Sequence, residues 1–263
     1  MLIDAHAHLD KYLYRKFNQP VGKILDEIER ARILTINMSM DMNSCKKNQK
    51  FKSDCVIQAF GIHPWRAHLY ENKTGLLRKM IGSHDFIGEI GLDQHFVKDP
   101  RRHKAQNKVF ETFLSHSEGK ILSVHSKGAE EQVHDKLKKY GVKAVLHWYS
   151  GDLGTLKKLI GQDHYFSINY EIKVSERIRK IAELVPLKQI LSETDNPGAR
   201  RWIDGKIGMP LSIRNVVTEL GKVKGLGYEQ MGRQIRNNYM RLTKDILTSD
   251  KTQKQKELDN DLV

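Results

Sequence analysis

Cysteine is nearly absent: the 263 residues hold two, Cys45 and Cys55, with no CxxC pair between them. That excludes a disulfide framework and a zinc knuckle, and both thiols read as ordinary reduced residues, one in a helix-like segment and one at a strand start. No apolar run is long enough to span a bilayer, so a membrane partner is not expected. The opening MLIDAHAHLD lacks a basic region followed by a signal-type apolar stretch, which predicts a cytoplasmic protein. A GxGxxG fingerprint is also missing after the first strand-like run, which argues against a doubly wound dinucleotide fold.

What is present is charge of one sign in excess. Forty-five Lys and Arg against 32 Asp and Glu give a formal net charge of +13. Such a balance favours polyanionic partners through long-range attraction and phosphate neutralisation. A basic solvated surface on an enzyme with neutral substrates accounts for it equally well. Hydrophobic residues make up 39% and charged residues 29%, the balance of a soluble globular chain.

Strand-like and helical patterns alternate along the chain. LIDAHAHL, ILTINMS, CVIQAFGI, FIGEIGL, KILSVH, AVLHWY, YFSINY and QILSET read as eight strands, each followed by a polar or glycine-bearing turn. Helical spacing falls at Val21–Arg30, Leu76–Ile81, Arg102–Ser117, Glu130–Tyr140, Thr155–Ile160, Ser175–Leu184, Leu211–Lys224 and Tyr228–Leu247. Eight βα units closed on themselves leave no orphan edge. The expectation is therefore an α/β chain folded as a (β/α)8 TIM barrel, a single domain over residues 1–248 with extra C-terminal helices. Residues 249–263 are polar, of mixed charge and aperiodic, and read as a tail. An open doubly wound sheet is the second choice.

Metal-capable side chains cluster at the strand ends. His6 and His8 are two apart, so strand geometry points both to one side, and Asp4 with them. Glu89, His125, His147 and Asp195 fall at the same end of the fourth, fifth, sixth and eighth strands. An HxH pair alone is more often incidental than a ligand. Six such groups at one end of one barrel are another matter, because buried carboxylates and imidazoles without partners are costly. The expected cofactor is a pair of divalent metal ions, Mg2+, Mn2+ or Zn2+, bridged by Glu89, with Glu89 and Asp195 as catalytic residues and Asp195 activating water.

The strings DAHAHLD, GIHPW, GEIGLD, SVHSKGAE, LHWYSG and SETDNPG occur in the order and approximate spacing of the TatD family of metal-dependent hydrolases, within the amidohydrolase-like barrels. The resemblance runs from Leu2 to about Arg241. It implies metal-dependent phosphodiester hydrolysis of DNA, with RNA as a second substrate, by an exonuclease trimming from a 3′ end. It further implies that His6, His8, Glu89 and Asp195 hold one metal and Glu89, His125 and His147 the second, and that His63 contacts a substrate phosphate. The chain departs from the common pattern around the pocket, reading His63-Pro64-Trp65, His147-Trp148-Tyr149 and Asn196-Pro197-Gly198-Ala199 where many members have HPH, HCF and APYL. Trp65 and Trp148 are thus candidate base-stacking residues, or packing residues of the barrel-top loops. Arg101, Arg102, Arg200, Arg201 and Lys127 are candidate phosphate contacts in loops, and Tyr70, Tyr149 and Asn196 candidates for the rim.

Two other functions fit the same residues. One is a small-molecule hydrolase of an amide, lactone or phosphoester, since fold and metals do not fix a substrate; the glutamate at position 89, where related amidohydrolases place a carbamylated lysine, weighs toward phosphoesters. The other is a non-catalytic metal-retaining binding protein, disfavoured because all six ligand types are in place.

Overall fold

A computed structural model describes residues 1–244. Eight parallel strands run β1 (Leu2–Ala7), β2 (Ile33–Asn37), β3 (Val56–Gln58), β4 (Phe86–Gly91), β5 (Ile121–His125), β6 (Ala144–His147), β7 (Tyr165–Ile168) and β8 (Ile190–Ser192). Between and after them lie α1 (Val21–Arg30), α2 (Met42–Asn48), α3 (Thr74–Gly82), α4 (Pro100–Leu114), α5 (Glu130–Tyr140), α6 (Leu153–Gly161), α7 (Glu176–Leu184), α8 (Gly198–Ile203), α9 (Ile213–Lys224) and α10 (Tyr228–Leu242). Helices wrap the strands and bury both faces of most of them, β3 being only half-buried; β4 is buried at all six positions, which is why it reads as an apolar run without alternation.

Regular ladders join β1 to β3 and β4 to β8. Local hydrogen bonds join the two pieces into the expected (β/α)8 barrel. At one seam Phe60 N donates to Phe86 O (3.1 Å) and Gly88 N to Phe60 O (2.9 Å). At the other, Asp195 N donates to His6 O (2.9 Å) and His8 N to Asn196 O (2.8 Å). With β8 bound back to β1, the open doubly wound sheet is excluded.

All eight predicted strands are present, each shortened at its ends. The shortening moves two candidate ligands off their strands, His8 just past β1 and Asp195 three residues past β8, and leaves Trp148 and Tyr149 past β6. Residues 245–247 of the predicted last helix, and the boundary to the polar tail at 249, lie outside the described residues. Helix starts follow side-chain caps: Asp99 accepts from Arg101 N ahead of Pro100, Asp152 from Thr155 N, and Ser175 from Ile178 N. One helix, α8, was not anticipated, and α2 was foreseen only as a helix-like segment around Cys45. α2 is set by reciprocal capping between Asp41 and Ser44, too short for a periodic signal; α8 has no side-chain cap and only six residues. Arg200 and Arg201 therefore sit on α8, and Arg101 and Arg102 on the first turn of α4, rather than in loops. Among the described residues no helix is long and apolar enough to cross a membrane. Both cysteines are free.

Candidate metal centre

The C-terminal ends of β1, β4, β5, β6 and β8 bring all six sequence-predicted ligands into one buried cluster. Its hub is Glu89, 2% exposed. The two oxygens of this carboxylate face different partners. Oε2 lies 3.0 Å from His8 Nε2 and 3.6 Å from His6 Nε2. Oε1 lies 2.8 Å from His125 Nδ1, 3.3 Å from His63 Nε2 and 3.8 Å from His147 Nε2. Asp195 Oδ1 completes the first side, 3.5 Å from His8 Nε2 and 4.0 Å from His6 Nε2.

Backbone geometry aims these groups. A β-carbon on Gly91, whose φ is +137°, would meet His125 O at 2.0 Å, so glycine is required where β4 passes under β5. Asp195 and Trp148 hold φ of +44° and +41°, a left-handed conformation that costs of order 1–3 kcal/mol for a residue other than glycine. At Asp195 the reward is visible: its carbonyl accepts Gly198 N and Ala199 N, both at 3.1 Å, and its side chain turns into the cluster.

The outer ring nitrogens assign the tautomers. His6 Nδ1 meets Ser123 Oγ (2.8 Å), His125 Nε2 meets Asp93 Oδ2 (3.0 Å) and His147 Nδ1 meets Glu193 Oε2 (2.9 Å). With a cation in place of the inner protons, the proton kept on each nitrogen facing Asp93 and Glu193 would leave His125 Nδ1 and His147 Nε2 with lone pairs toward the interior, the arrangement by which carboxylates orient metal-binding histidines. His63 is the reverse case. Trp65 N donates to His63 Nδ1 at 3.1 Å, so a neutral His63 carries its proton on Nε2 and shows the interior a donor, suited to an anionic oxygen rather than a cation.

Electrostatics divide the cluster further. Burial pushes the pKa of His8 down to about 3 and that of His6 well below the usual range, where the neighbouring His147 adds to the effect. Both are then neutral with lone pairs available, the form that binds metal. Burial lowers His63 as well. For His147 burial also works downward, but the Glu193 carboxylate outweighs it and lifts the ring to about 9. His125 is raised in the same way, with hydrogen bonds to Asp93 and Glu89 overcoming burial. Burial opposes the charge on Glu89, yet His63 and the hydrogen bonds from His125 and His6 hold its pKa well below the carboxylate range. Burial lifts Asp195 to about 6.

The donor set fits divalent cations. His6, His8 and Glu89 form one group of potential ligands and His6, His147 and Asp195 a second; Glu89 and His125 form a third with His63, whose inward proton sets it apart from the ligands. Ligands about 2.1 Å from a shared ion stand about 3.0–3.4 Å apart, close to the 3.0 and 3.2 Å that separate His8 Nε2 from Glu89 Oε2 and from His6 Nε2. Asp195 Oδ1 is buried without a hydrogen bond, an uncompensated cost of about 1–3 kcal/mol that a cation relieves.

Several predicted neighbours have partners of their own. Asp4 faces the same side as His6, but its carboxylate accepts Thr194 N (2.8 Å) and Thr194 Oγ1 (2.7 Å), bracing the segment before Asp195. Tyr149 and Asn196 are not on the rim: both are buried, Tyr149 donating to Asp152 O (2.7 Å) and Asn196 Nδ2 to Met209 O (2.8 Å). Tyr70 is half-buried and accepts Met42 N (3.3 Å). Trp65 and Trp148 are half-buried with their indole N–H groups committed to Asp93 (2.7 Å) and Glu171 (2.5 Å). Arg101 pairs with Asp99, Arg102 donates to Trp65 O, and Arg200 pairs with Asp204 while lying over the Tyr170 ring. Lys127 Nζ is tied to Ser150 Oγ at 2.7 Å.

Asp93 and Glu193 were missed as functional residues. Their signal was present, inside GEIGLD and SETDNPG, but a carboxylate in a turn looks like any other until the histidine it faces is known.

A parallel eight-stranded barrel whose strand ends converge histidines and carboxylates on a buried glutamate is the architecture of a metal-dependent hydrolase. The chain belongs to the TatD family, as residues 3–244 match the family model described as TatD related DNase. It is 26% identical over 243 residues to the uncharacterized metal-dependent hydrolase MJ1582 of Methanocaldococcus jannaschii, covering 90% of this chain and 94% of that one. The uncharacterized metal-dependent hydrolase YcfH of Escherichia coli is 24% identical over 253 residues, covering 92% and 95%. Among solved structures, a TatD family hydrolase from Entamoeba histolytica superimposes with a TM-score of 0.77 at 17% identity, covering 92% of this chain and 97% of that chain. The organophosphorus hydrolase of Deinococcus radiodurans shares the fold more distantly, with a TM-score of 0.61 at 10% identity and 92% coverage of each chain.

Proposed function

We propose that the protein hydrolyses phosphodiester bonds at nucleic-acid ends, removing nucleotides from the 3′ end of DNA and secondarily of RNA, at a centre of two divalent cations bridged by Glu89. The observation that carries this reading is the divided carboxylate, with Oε2 3.0 Å from His8 Nε2 and Oε1 2.8 Å from His125 Nδ1. A carboxylate divided in this way would let Glu89 hold a cation on each side. His6, His8 and Asp195 are assigned to one side, His125 and His147 to the other. Mg2+, Mn2+ and Zn2+ all suit mixed nitrogen and oxygen donors.

When bound, such cations neutralise charge on a scissile phosphate and lower the pKa of a coordinated water. The chain's own groups supply the remainder. Asp195, with a pKa raised by burial, accepts the proton of the attacking water. The Nε2 proton of His63 donates to a phosphate oxygen. Asp93 and Glu193 hold the His125 and His147 rings in the tautomer the site requires. The +13 net charge favours encounter of the protein with a polyanion.

End-labelled single-stranded oligonucleotides incubated with Mn2+, with and without EDTA, are expected to shorten only when metal is available. Asp195→Asn should lower kcat at least about 100-fold with an unchanged circular dichroism spectrum; near-normal turnover would remove its assigned role. Hydrolysis of a small amide, lactone or phosphoester is the second reading, favoured by the shared barrel of the organophosphorus hydrolase. Absence of metal-dependent shortening together with turnover of a lactone and amide panel would select it.

A further inference from the structure

Two large aromatic side chains stand in solvent next to each other. Trp202 on α8 is 73% exposed and Phe96, in the loop between β4 and α4, is 51% exposed. Their ring centroids are 6.0 Å apart with planes inclined at 56°. Phe96 in turn meets the Trp65 ring edge-on at 5.7 Å. Single exposed apolar side chains are ordinary on protein surfaces; rings from separate segments gathered at one place mark an interaction site.

The gathering is held from within the candidate metal centre. Asp93 Oδ1 accepts the backbone N–H of His95 (3.0 Å) and of Phe96 (2.7 Å), while Oδ2 accepts Trp65 Nε1 (2.7 Å) and faces His125 Nε2 (3.0 Å). One carboxylate therefore fixes the Phe96 loop, the Trp65 ring and a candidate metal-binding histidine together. Trp202 is fixed from the other side, because the first two residues of its helix donate to the carbonyl of Asp195. Both segments that carry the patch are thus anchored to residues of the cluster. One cation of the same helix as Trp202, Arg201, is exposed and without a hydrogen bond or ion pair among the described residues. Aromatic faces beside free cations are how proteins hold unpaired nucleotides, since every base has a face to stack and every linkage a charge.

We propose that Phe96 and Trp202 form a stacking platform for an unpaired base of a nucleic-acid substrate whose end lies at the Glu89 centre. The platform rests on the nuclease reading above and narrows it to single-stranded or frayed ends, because a base within a duplex has both faces covered. Arg201 pairs with a phosphate of the same strand.

The test uses the full chain loaded with Mn2+ and two substrates, a short single-stranded oligonucleotide and bis(p-nitrophenyl) phosphate, which needs the centre but has no strand to extend from it onto the platform. Trp202→Ala and Phe96→Ala are each expected to raise KM for the oligonucleotide roughly tenfold or more. Turnover of bis(p-nitrophenyl) phosphate should stay within twofold, and Trp202→Phe should keep most of the affinity. An unchanged oligonucleotide KM in Trp202→Ala, with the parent protein cutting DNA, overturns the platform and leaves the nuclease reading standing. Equal losses on both substrates overturn it as well, by showing a general disturbance of the site. If the parent protein turns over the small diester and cuts no nucleic acid, the nuclease reading falls and the platform with it. Unchanged KM together with loss of a dimer in sedimentation would assign the patch to a second copy of the chain instead.

Discussion

A carboxylate that faces a ring nitrogen can matter as much as the ring itself. Glu193 meets His147 Nδ1 at 2.9 Å, accepts Trp148 N at 3.1 Å and takes the Ser167 hydroxyl, all without exposure to water. Glu193→Gln keeps the shape but removes the charge that holds the His147 proton outward; metal affinity measured by calorimetry should fall about 10- to 100-fold. Unchanged affinity would mean that the ring is oriented by packing alone. Far from the cluster, His164 offers a cleaner titration. Its Nδ1 accepts Ala144 N at 3.3 Å and its Nε2 faces Gln162 Oε1 at 3.0 Å, a pattern that needs the neutral ring. Burial, with His134 nearby, depresses its pKa to about 4. The unfolded chain then binds more protons between pH 6.5 and 4, so this contribution to stability is complete above about 6.5 and is lost as pH falls toward 4. The loss amounts to about 3 kcal/mol. Urea unfolding from pH 7 to 4.5 should show a shallower pH dependence in His164→Gln, and equal slopes in the two proteins would refute the assignment.

Elements place what residues can only offer. His6, His8, Glu89, His125, His147 and Asp195 were legible in the sequence because each follows a short apolar run, and a run buried on both faces must end where the barrel opens. Their partition was not legible. Nothing in the spacing of His63 distinguishes it from the metal-capable histidines; only the bond from Trp65 N to its Nδ1 turns its proton inward. Asp93 and Glu193 act across 32 and 46 residues of sequence, and such pairings depend on which strands are neighbours. The same dependence makes Gly91 critical. With φ at +137° and no room for a β-carbon against His125 O, Gly91→Ala should cost about 4 kcal/mol or more, at the upper end for single substitutions. A melting temperature within a few degrees of the parent would show that β4 and β5 can separate there.

At the scale of the molecule, charge and fold act on different quantities. A net charge of +13 raises encounter with a polyanion and is screened by salt, whereas chemistry at a buried centre is not. KM for an oligonucleotide is therefore expected to climb steeply between 50 and 200 mM NaCl, in the range where the Debye length shrinks to about 8 Å, while kcat stays nearly level. A flat KM would detach the basic surface from substrate binding. The sequence by itself determined the eight strands, the barrel, the family and the six metal-capable groups, because these depend on local periodicity and on which residue types end each run. Tertiary structure alone decided which oxygen of Glu89 faces which histidines, that Asn196 and Tyr149 are buried, and that Phe96 and Trp202 meet in solvent. Those are contacts between segments distant along the chain, and they exist only once the barrel has closed.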